Sequence, residues 1–142
     1  MNFYIASSLN NKEMVKSLAD QLKMEGFYHS YDWTINDRAD SMDILASIGE
    51  RELSAVRNSD FLVMLLPGGK GSHIEMGIAL GLGKRVYLYS PNNDIYEFDK
   101  TSTFYHVAGV TKFIGDFVSF MQFLLQKETT NFNRLCIQQP LG

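Results

Sequence analysis

The residue best placed to do chemistry is an acid that follows a glycine-rich loop. Residues 65–86 read LLPGGKGSHIEMGIALGLGKRV, in which Glu75 stands alone among small and apolar residues. Glycines let the backbone approach a ligand closely, and the loop leads into a predicted helix, whose free N–H groups favour an anion. A poorly hydrated carboxylate near the positive end of a helix can be held ionised and aimed, as a nucleophile requires.

Two other interpretations of this stretch were weighed against a nucleophile. A triphosphate-binding loop requires glycine, four residues and then Gly-Lys-Ser/Thr, but here Gly71 follows Lys70, which argues against triphosphate hydrolysis. Glu75 also lies three residues after Ser72, the predicted N-cap, and this capping-box spacing offers the acid a purely structural role. With the nucleophile interpretation, Gly69, Gly71 and Ser72 become candidate substrate-binding residues.

The elements that must position this loop alternate along the chain. Apolar segments predict strands at 3–7, 27–33, 61–66, 85–89 and 110–114, and helical spacing predicts helices at 12–24, 40–57, 72–82 and 116–126. The third strand, FLVMLL, is typical of a central parallel strand covered on both faces. We predict a single α/β domain, a flavodoxin- or Rossmann-like three-layer sandwich. Its mostly parallel five-stranded sheet has the order 2-1-3-4-5.

The carboxyl ends of the strands supply the remaining candidates, because open parallel sheets bind ligands there. Ser7 and Ser8 follow the first strand and offer hydroxyl groups to a sugar or a phosphate. Asp32 and Trp33 end the second strand, where Trp33 either stacks on a base or packs at the rim. We place the domain at residues 1–127 and treat residues 128–142, which show no clear periodicity, as a C-terminal tail.

A longer pattern surrounds Glu75. It consists of Glu52-Leu53, Ser59-Asp60, the FLVMLL strand, Gly68 to Ser72, Glu75, Gly77, Ala79 and Gly83-Lys84. This pattern resembles the nucleoside 2-deoxyribosyltransferase superfamily, including its nucleotide N-glycosidase members. The opening FYIASSL and the late HVAGVTKFIGD are compatible with the superfamily, and the resemblance covers most of residues 1–127.

The resemblance implies a mechanism and roles for particular residues. In this family a carboxylate attacks the anomeric carbon of a nucleoside, the base leaves, and the glycosyl ester passes the sugar to a second base or to water. By position, Glu75 would be the nucleophile. Glu52 would protonate the leaving base or bind sugar hydroxyls, although it also fits a solvated helix face. Phe3 lies where some relatives have a tyrosine that touches the nucleophile, so it is a candidate substrate-binding residue. Strand alternation predicts that Tyr4 faces the other side of the sheet.

Composition and charge exclude several other classes. The net charge of -3 provides no basic surface for nucleic acid, and no apolar run is long enough to span a membrane. The N-terminus lacks a signal-peptide pattern, and Cys136 is the only cysteine, so a cytoplasmic protein is expected. No His, Cys and Asp cluster has the spacing of a metal site, so we predict no metal. We also predict no cofactor, because a covalent sugar ester needs none.

The sequence therefore predicts an enzyme that cleaves or exchanges the N-glycosidic bond of a nucleoside or nucleoside monophosphate. The resemblance implies a homodimer or higher homo-oligomer. A non-catalytic module that senses a nucleotide stays open, because Phe3 lacks a hydroxyl and Leu9 stands where relatives acting on monophosphates often have a basic residue. A glycohydrolase of dinucleotides such as NAD also stays open, as do the base, the sugar and the choice between transfer and hydrolysis.

Overall fold

The computed structural model describes residues 1–138 and confirms the predicted α/β fold. One five-stranded sheet has the order β2-β1-β3-β4-β5, and all of its pairings are parallel. No helix among these residues is long and apolar enough to cross a membrane. The strands are β1 (Asn2–Ser7), β2 (Tyr28–His29), β3 (Phe61–Leu65), β4 (Arg85–Ser90) and β5 (Val110–Ile114), and the helices are α1 (Lys12–Met24), α2 (Met42–Arg57), α3 (Lys70–Gly81) and α4 (Phe117–Gln138).

The centre of the sheet is the core of the molecule, and it sets the level at which the strands end. Every residue of β3 is buried, as its apolar run predicts. Ser7 at the end of β1 pairs with Leu65 of β3, which in turn pairs with Tyr89 of β4. The chain runs from β1 outward to β2 and then back across β1 to β3. The strand order therefore reverses between β1 and β3, where a parallel sheet opens a crevice.

Two elements differ from the sequence-based prediction by more than two residues in length. The second strand is only two residues long, because the chain enters a short 3-10 turn at Trp33–Ile35. Asp32 caps this turn by accepting a hydrogen bond from the Thr34 N–H, which ends the extended conformation. Helix α4 runs to Gln138 rather than ending at residue 126.

A buried ion pair anchors the extension of α4 to the sheet. Glu128 is fully buried and accepts hydrogen bonds from Arg85 Nε at 3.0 Å and Arg85 Nη2 at 2.7 Å. The Tyr87 hydroxyl and Asn131 Nδ2 also donate to the same carboxylate. Residues 128–138 therefore continue the last helix of the domain, whereas the domain boundary that we placed after Lys127 stays a prediction.

Removal of this carboxylate tests whether it anchors the helix. Glu128→Ala leaves the Arg85 guanidinium, which is partly shielded from water, without a counter-ion. We expect the free energy of unfolding to fall by about 3 kcal/mol in urea denaturation. Glu13→Ala, which removes the acid of the exposed Lys16–Glu13 pair, is the matched control and should cost at most about 1 kcal/mol. Equal losses in the two variants would contradict an anchoring role.

Candidate active site

A cleft of about 850 Å³ opens at the carboxyl edge of the sheet, where the strand order reverses. Its walls are the turn after β1, the segment 33–39 that follows β2, the inner side of α2, and the glycine-rich loop with the start of α3. Most of the residues predicted from the sequence meet in this cleft. They are Ser7, Ser8, Trp33, Glu52, Gly69, Gly71, Ser72 and Glu75.

Glu75 lies at the buried base of the cleft and does not cap its own helix. Its side chain is only 8% exposed and accepts a hydrogen bond from the Tyr4 hydroxyl on β1. The N-cap of α3 is Gly69 rather than Ser72, so the predicted N-cap was wrong. The Ser72 hydroxyl accepts a hydrogen bond from the N–H of Gly69 at 2.7 Å. In the predicted capping box, the Glu75 side chain would have accepted the bond from the N-cap N–H instead.

The two aromatic residues of β1 lie on the opposite faces from those predicted. Tyr4 contacts Glu75, so the prediction that it faces away from the nucleophile was wrong. Phe3 is fully buried and stacks on His29, with 4.6 Å between ring centroids. Phe3 therefore does not line the cleft as a substrate-binding residue. Alternation predicts that neighbouring residues face opposite ways, but it does not show which face α3 covers.

A second carboxyl group lines the same cleft and affects the protonation of Glu75. Glu52, half-buried on α2, faces the cleft. Burial raises the pKa of Glu75, the hydrogen bond from Tyr4 lowers it, and the neighbouring Glu52 raises it, so that the pKa is about 8. Burial and the negative charge of Glu75 also raise the pKa of the Tyr4 hydroxyl. At neutral pH the Glu75 carboxyl group therefore keeps its proton in most molecules.

The residues at the ends of β1 and β2 shape the cleft through fixed contacts. The Trp33 indole N–H donates to the Ile5 carbonyl at 2.7 Å, which holds the ring in the cleft wall. The Ser7 hydroxyl donates to the Leu65 carbonyl at 2.7 Å and so ties the ends of β1 and β3 together. Asp32 does not line the cleft, because its carboxylate caps the turn at Trp33–Ile35.

Sequence reasoning missed most of the outer wall of the cleft. Asn36, Asp37 and Arg38 lie on the segment after β2, where no recognisable motif marks them. Lys12 and Lys70 contribute two further cations from the start of α1 and the glycine-rich loop. The residues that we had not assigned to the site are Leu9, Asn10, Lys12, Asn36, Asp37, Arg38, Ala39, Leu45, Ile48 and Lys70.

The described residues offer no arrangement for a metal ion. Across residues 1–138, no group of three His, Cys, Asp or Glu side chains is placed to hold one. The predicted lack of a metal and of a cofactor stays a prediction. The two carboxyl groups and the polar atoms of the walls line the cleft, and the buried Tyr4 hydroxyl contacts Glu75.

The sheet order defines an α/β protein with a flavodoxin-like topology, and two carboxyl groups lie where its strand order reverses. The structure of this chain is similar to that of the CMP N-glycosidase BcmB of Clostridium botulinum, with a TM-score of 0.61 and 18% identity over 87% of this chain and 98% of that chain. It is also similar to a 2-deoxyribosyltransferase of Bacillus psychrosaccharolyticus, with a TM-score of 0.57 and 18% identity over 85% of this chain and 90% of that chain. No curated protein sequence matches it significantly.

A family relation is shown by the sequence itself. The family model described as nucleoside 2-deoxyribosyltransferase matches residues 3–132. The chain therefore belongs to the nucleoside 2-deoxyribosyltransferase family, which confirms the resemblance found in its motifs.

The raised pKa of Glu75 predicts a pH-dependent cost to stability. The folded protein keeps a proton that the unfolded carboxyl group releases near its ordinary pKa of 4.5, so this contribution to stability is complete below that pH. It is lost as the pH rises through about 8. Glu75→Gln mimics the protonated form at every pH. We expect its melting temperature to exceed that of the wild type by about 5 °C at pH 9 and by much less at pH 5. A difference that does not vary with pH would contradict this prediction.

Proposed function

We propose that this protein breaks the N-glycosidic bond of a nucleoside or nucleotide through a glycosyl ester on Glu75. The observation that carries the proposal is the buried carboxylate at the base of the cleft, held by the Tyr4 hydroxyl and faced by the second carboxyl group of Glu52. Membership of the nucleoside 2-deoxyribosyltransferase family supports a reaction that transfers or cleaves such bonds.

In the first step, the ionised Glu75 attacks the anomeric carbon of the sugar. A bond forms between the carboxylate oxygen and this carbon, while the bond to the base nitrogen breaks with its electron pair leaving on the base. Glu52 donates a proton to that nitrogen, so the base departs neutral. In the second step, water or another base attacks the same carbon, returns a proton to Glu52, and releases Glu75 as a carboxylate.

The charge distribution in the cleft suits this division of roles. The reactive state needs Glu75 ionised and Glu52 protonated, and it arises when the proton of Glu75 passes to the neighbouring Glu52. Tyr4 favours it, because its hydroxyl hydrogen-bonds the ionised form of Glu75. Two carboxyl groups in different environments thus serve as the nucleophile and the acid.

The structure also bears on the non-catalytic alternative. One argument for a sensor was the absence of a hydroxyl at Phe3, but Tyr4 supplies a hydroxyl directly to Glu75. A module that only binds a ligand has no need for a buried acid with a raised pKa, whereas such groups are typical of catalytic sites. Catalysis is therefore the function that the site supports best.

The test is release of free base from a panel of nucleosides, nucleoside monophosphates and NAD, followed by chromatography. We expect one class of substrate to release its base and Glu75→Ala to lower that rate by about 10³-fold or more. Intact-mass spectrometry with a slow substrate should show a sugar adduct on the wild type only. Glu50→Ala, which removes an exposed acid from the same helix as Glu52, is the control and should keep the activity. Ligand binding without turnover would support the sensor, and nicotinamide release from NAD would support the dinucleotide glycohydrolase.

Two further substitutions should change the pH dependence of kcat/KM in different ways. In the wild type, kcat/KM should fall as the pH rises through about 8, because the carboxyl pair then loses the proton that Glu52 donates. Glu52→Gln removes this acid and should abolish the fall, besides lowering the rate by about 10²-fold or more. Tyr4→Phe removes a hydrogen bond to the Glu75 carboxylate and should shift the fall to higher pH. Tyr89→Phe, whose hydroxyl contacts the Gly115 carbonyl, should leave it in place. The same fall in Glu52→Gln as in the wild type would disprove this assignment.

We also propose that the protein acts as a homodimer, as the resemblance implies. Apolar side chains are exposed near the cleft and on the segment before β5, and large exposed apolar patches mark association surfaces. Sedimentation velocity tests this proposal, and a monomer at micromolar concentration would contradict it. The side chains in question are Ile35, Met42, Ile44, Leu45, Tyr96, Phe98 and Phe104.

A further inference from the structure

One carbonyl group of the glycine-rich loop, that of Gly69, accepts three hydrogen bonds. The Gly69 carbonyl accepts hydrogen bonds from the Ser72 hydroxyl at 2.9 Å, from the His73 backbone N–H at 3.2 Å, and from His73 Nδ1 at 2.7 Å. Gly69 and Ser72 line the cleft, but His73 does not. A side chain outside the cleft therefore makes the shortest contact to the carbonyl that sets the path of the loop.

Close packing beside this carbonyl leaves the loop little freedom. A Cβ atom at Gly68 would lie 2.4 Å from Met64 Cε, 2.6 Å from Ser72 Oγ and 3.1 Å from His73 Cε1. Only glycine fits at this point without displacing its neighbours. The loop is thus wedged between the end of β3 and the side chains of Ser72 and His73.

The contacts of His73 determine which ring nitrogen carries the proton. A carbonyl oxygen can only accept, so Nδ1 must be the protonated nitrogen. The other nitrogen, Nε2, lies 2.6 Å from the Tyr105 hydroxyl, which therefore donates to Nε2 when the ring is neutral. Tyr105 is buried and lies in the 3-10 turn Thr103–His106, on a segment that does not line the cleft. The two rings are also stacked, with centroids 5.8 Å apart.

We propose that His73 is a positioning residue that holds the substrate-facing glycine loop, and that Tyr105 fixes its ring. This proposal rests on the proposed glycosidic reaction, because the loop is taken to bind the substrate of that reaction. The Tyr105 hydroxyl selects the tautomer of His73 whose Nδ1–H bonds the Gly69 carbonyl. The chain of contacts thus connects a buried residue outside the cleft to the backbone that a sugar or phosphate would touch.

The pair should affect substrate binding more than the chemical step. Glu75 lies two residues beyond His73, but its carboxylate is held separately by Tyr4. Loss of the His73 side chain would release the loop while the nucleophile keeps its partner. The expected effect is therefore a raised KM with a smaller change in kcat.

The first experiment reads the tautomer of His73 and needs no substrate. Two-bond ¹H–¹⁵N correlation spectra of the full chain, taken where the ring is neutral, should show the proton on Nδ1 and a hydrogen-bonded Nε2. In Tyr105→Phe, the Nε2 resonance should shift towards the value of an unbonded nitrogen. Amide hydrogen exchange at Gly69 and at residue 73, whose N–H groups bond the Ser72 hydroxyl and the Gly69 carbonyl, should be faster in His73→Ala than in the wild type. A proton on Nε2, or unchanged exchange, would overturn the proposal.

The second experiment measures KM and kcat with whichever nucleoside or nucleotide the wild type turns over. We expect His73→Ala to raise KM about tenfold and to change kcat by less than about threefold. Tyr105→Phe should raise KM by a smaller factor and add nothing in the His73→Ala background, because both changes break one chain of contacts. His73→Asn should restore KM to within about threefold, since its amide N–H can replace Nδ1–H.

His106→Ala is the matched control. His106 lies beside Tyr105 but contacts Thr101, Lys112 and the Ile95 carbonyl rather than the loop, so its removal should change KM by less than about twofold. Additive effects of His73→Ala and Tyr105→Phe on KM would overturn the proposal, as would an unchanged KM in His73→Ala. A wild type that releases no base from any substrate refutes the proposed function instead, and the exchange and tautomer measurements still decide whether His73 holds the loop.

Discussion

The burial of a carboxyl group against a tyrosine is the constraint on which the rest of this structure depends. Because Glu75 is only 8% exposed, its ionisation costs free energy. The folded chain lowers this cost when Glu75 keeps its proton, or when the Tyr4 hydroxyl donates a hydrogen bond to the carboxylate. Both require α3 to lie close to β1. The small residues Gly77 and Ala79 follow Glu75 on α3, and Ala79 is fully buried on the side of the helix that packs on the protein. The segment that was predicted to bind a ligand therefore also packs α3 against the sheet, and this packing places Glu75 beside β1.

The sheet topology turns this contact into an accessible site. Because the strand order reverses between β1 and β3, the helices on either side of that point diverge and leave a crevice above the strand ends. Ser7 ties β1 to β3 at the floor of this crevice through the Leu65 carbonyl. The glycine-rich loop forms one wall, and at Gly68 it packs so closely on Met64 and Ser72 that no side chain fits there. The acid is therefore buried by its own helix and still open to a ligand from above, which is the combination that nucleophilic catalysis requires.

The order of the elements could be predicted from the sequence because it depends on local pattern, whereas the details of the site depend on which faces meet. The apolar run of β3 and the alternation of strands with helices were enough to predict the fold. The position of Glu75 after the glycine-rich loop was enough to predict that it lies in the cleft. The exchange of Phe3 and Tyr4 could not be resolved, because alternation has a period but no absolute direction. The extension of α4 was missed because Glu128 is a charged residue whose burial depends on Arg85, more than 40 residues earlier in the chain.

What the family pattern leaves out is the part of the cleft that must distinguish substrates. The motif residues supply the carboxyl pair and the loop, to which we assign the proposed cleavage of the bond between sugar and base. Asn36, Asp37 and Arg38 instead come from a segment with no motif, and they face the loop across the cleft with Lys12 and Lys70 among the lining residues. A relative with 18% identity shares the fold, but charged groups on a loop change freely while a topology persists. In the proposed function, the chemistry therefore depends on the geometry of helix and strand, whereas the identity of the base and of any phosphate depends on a few polar side chains of the outer wall.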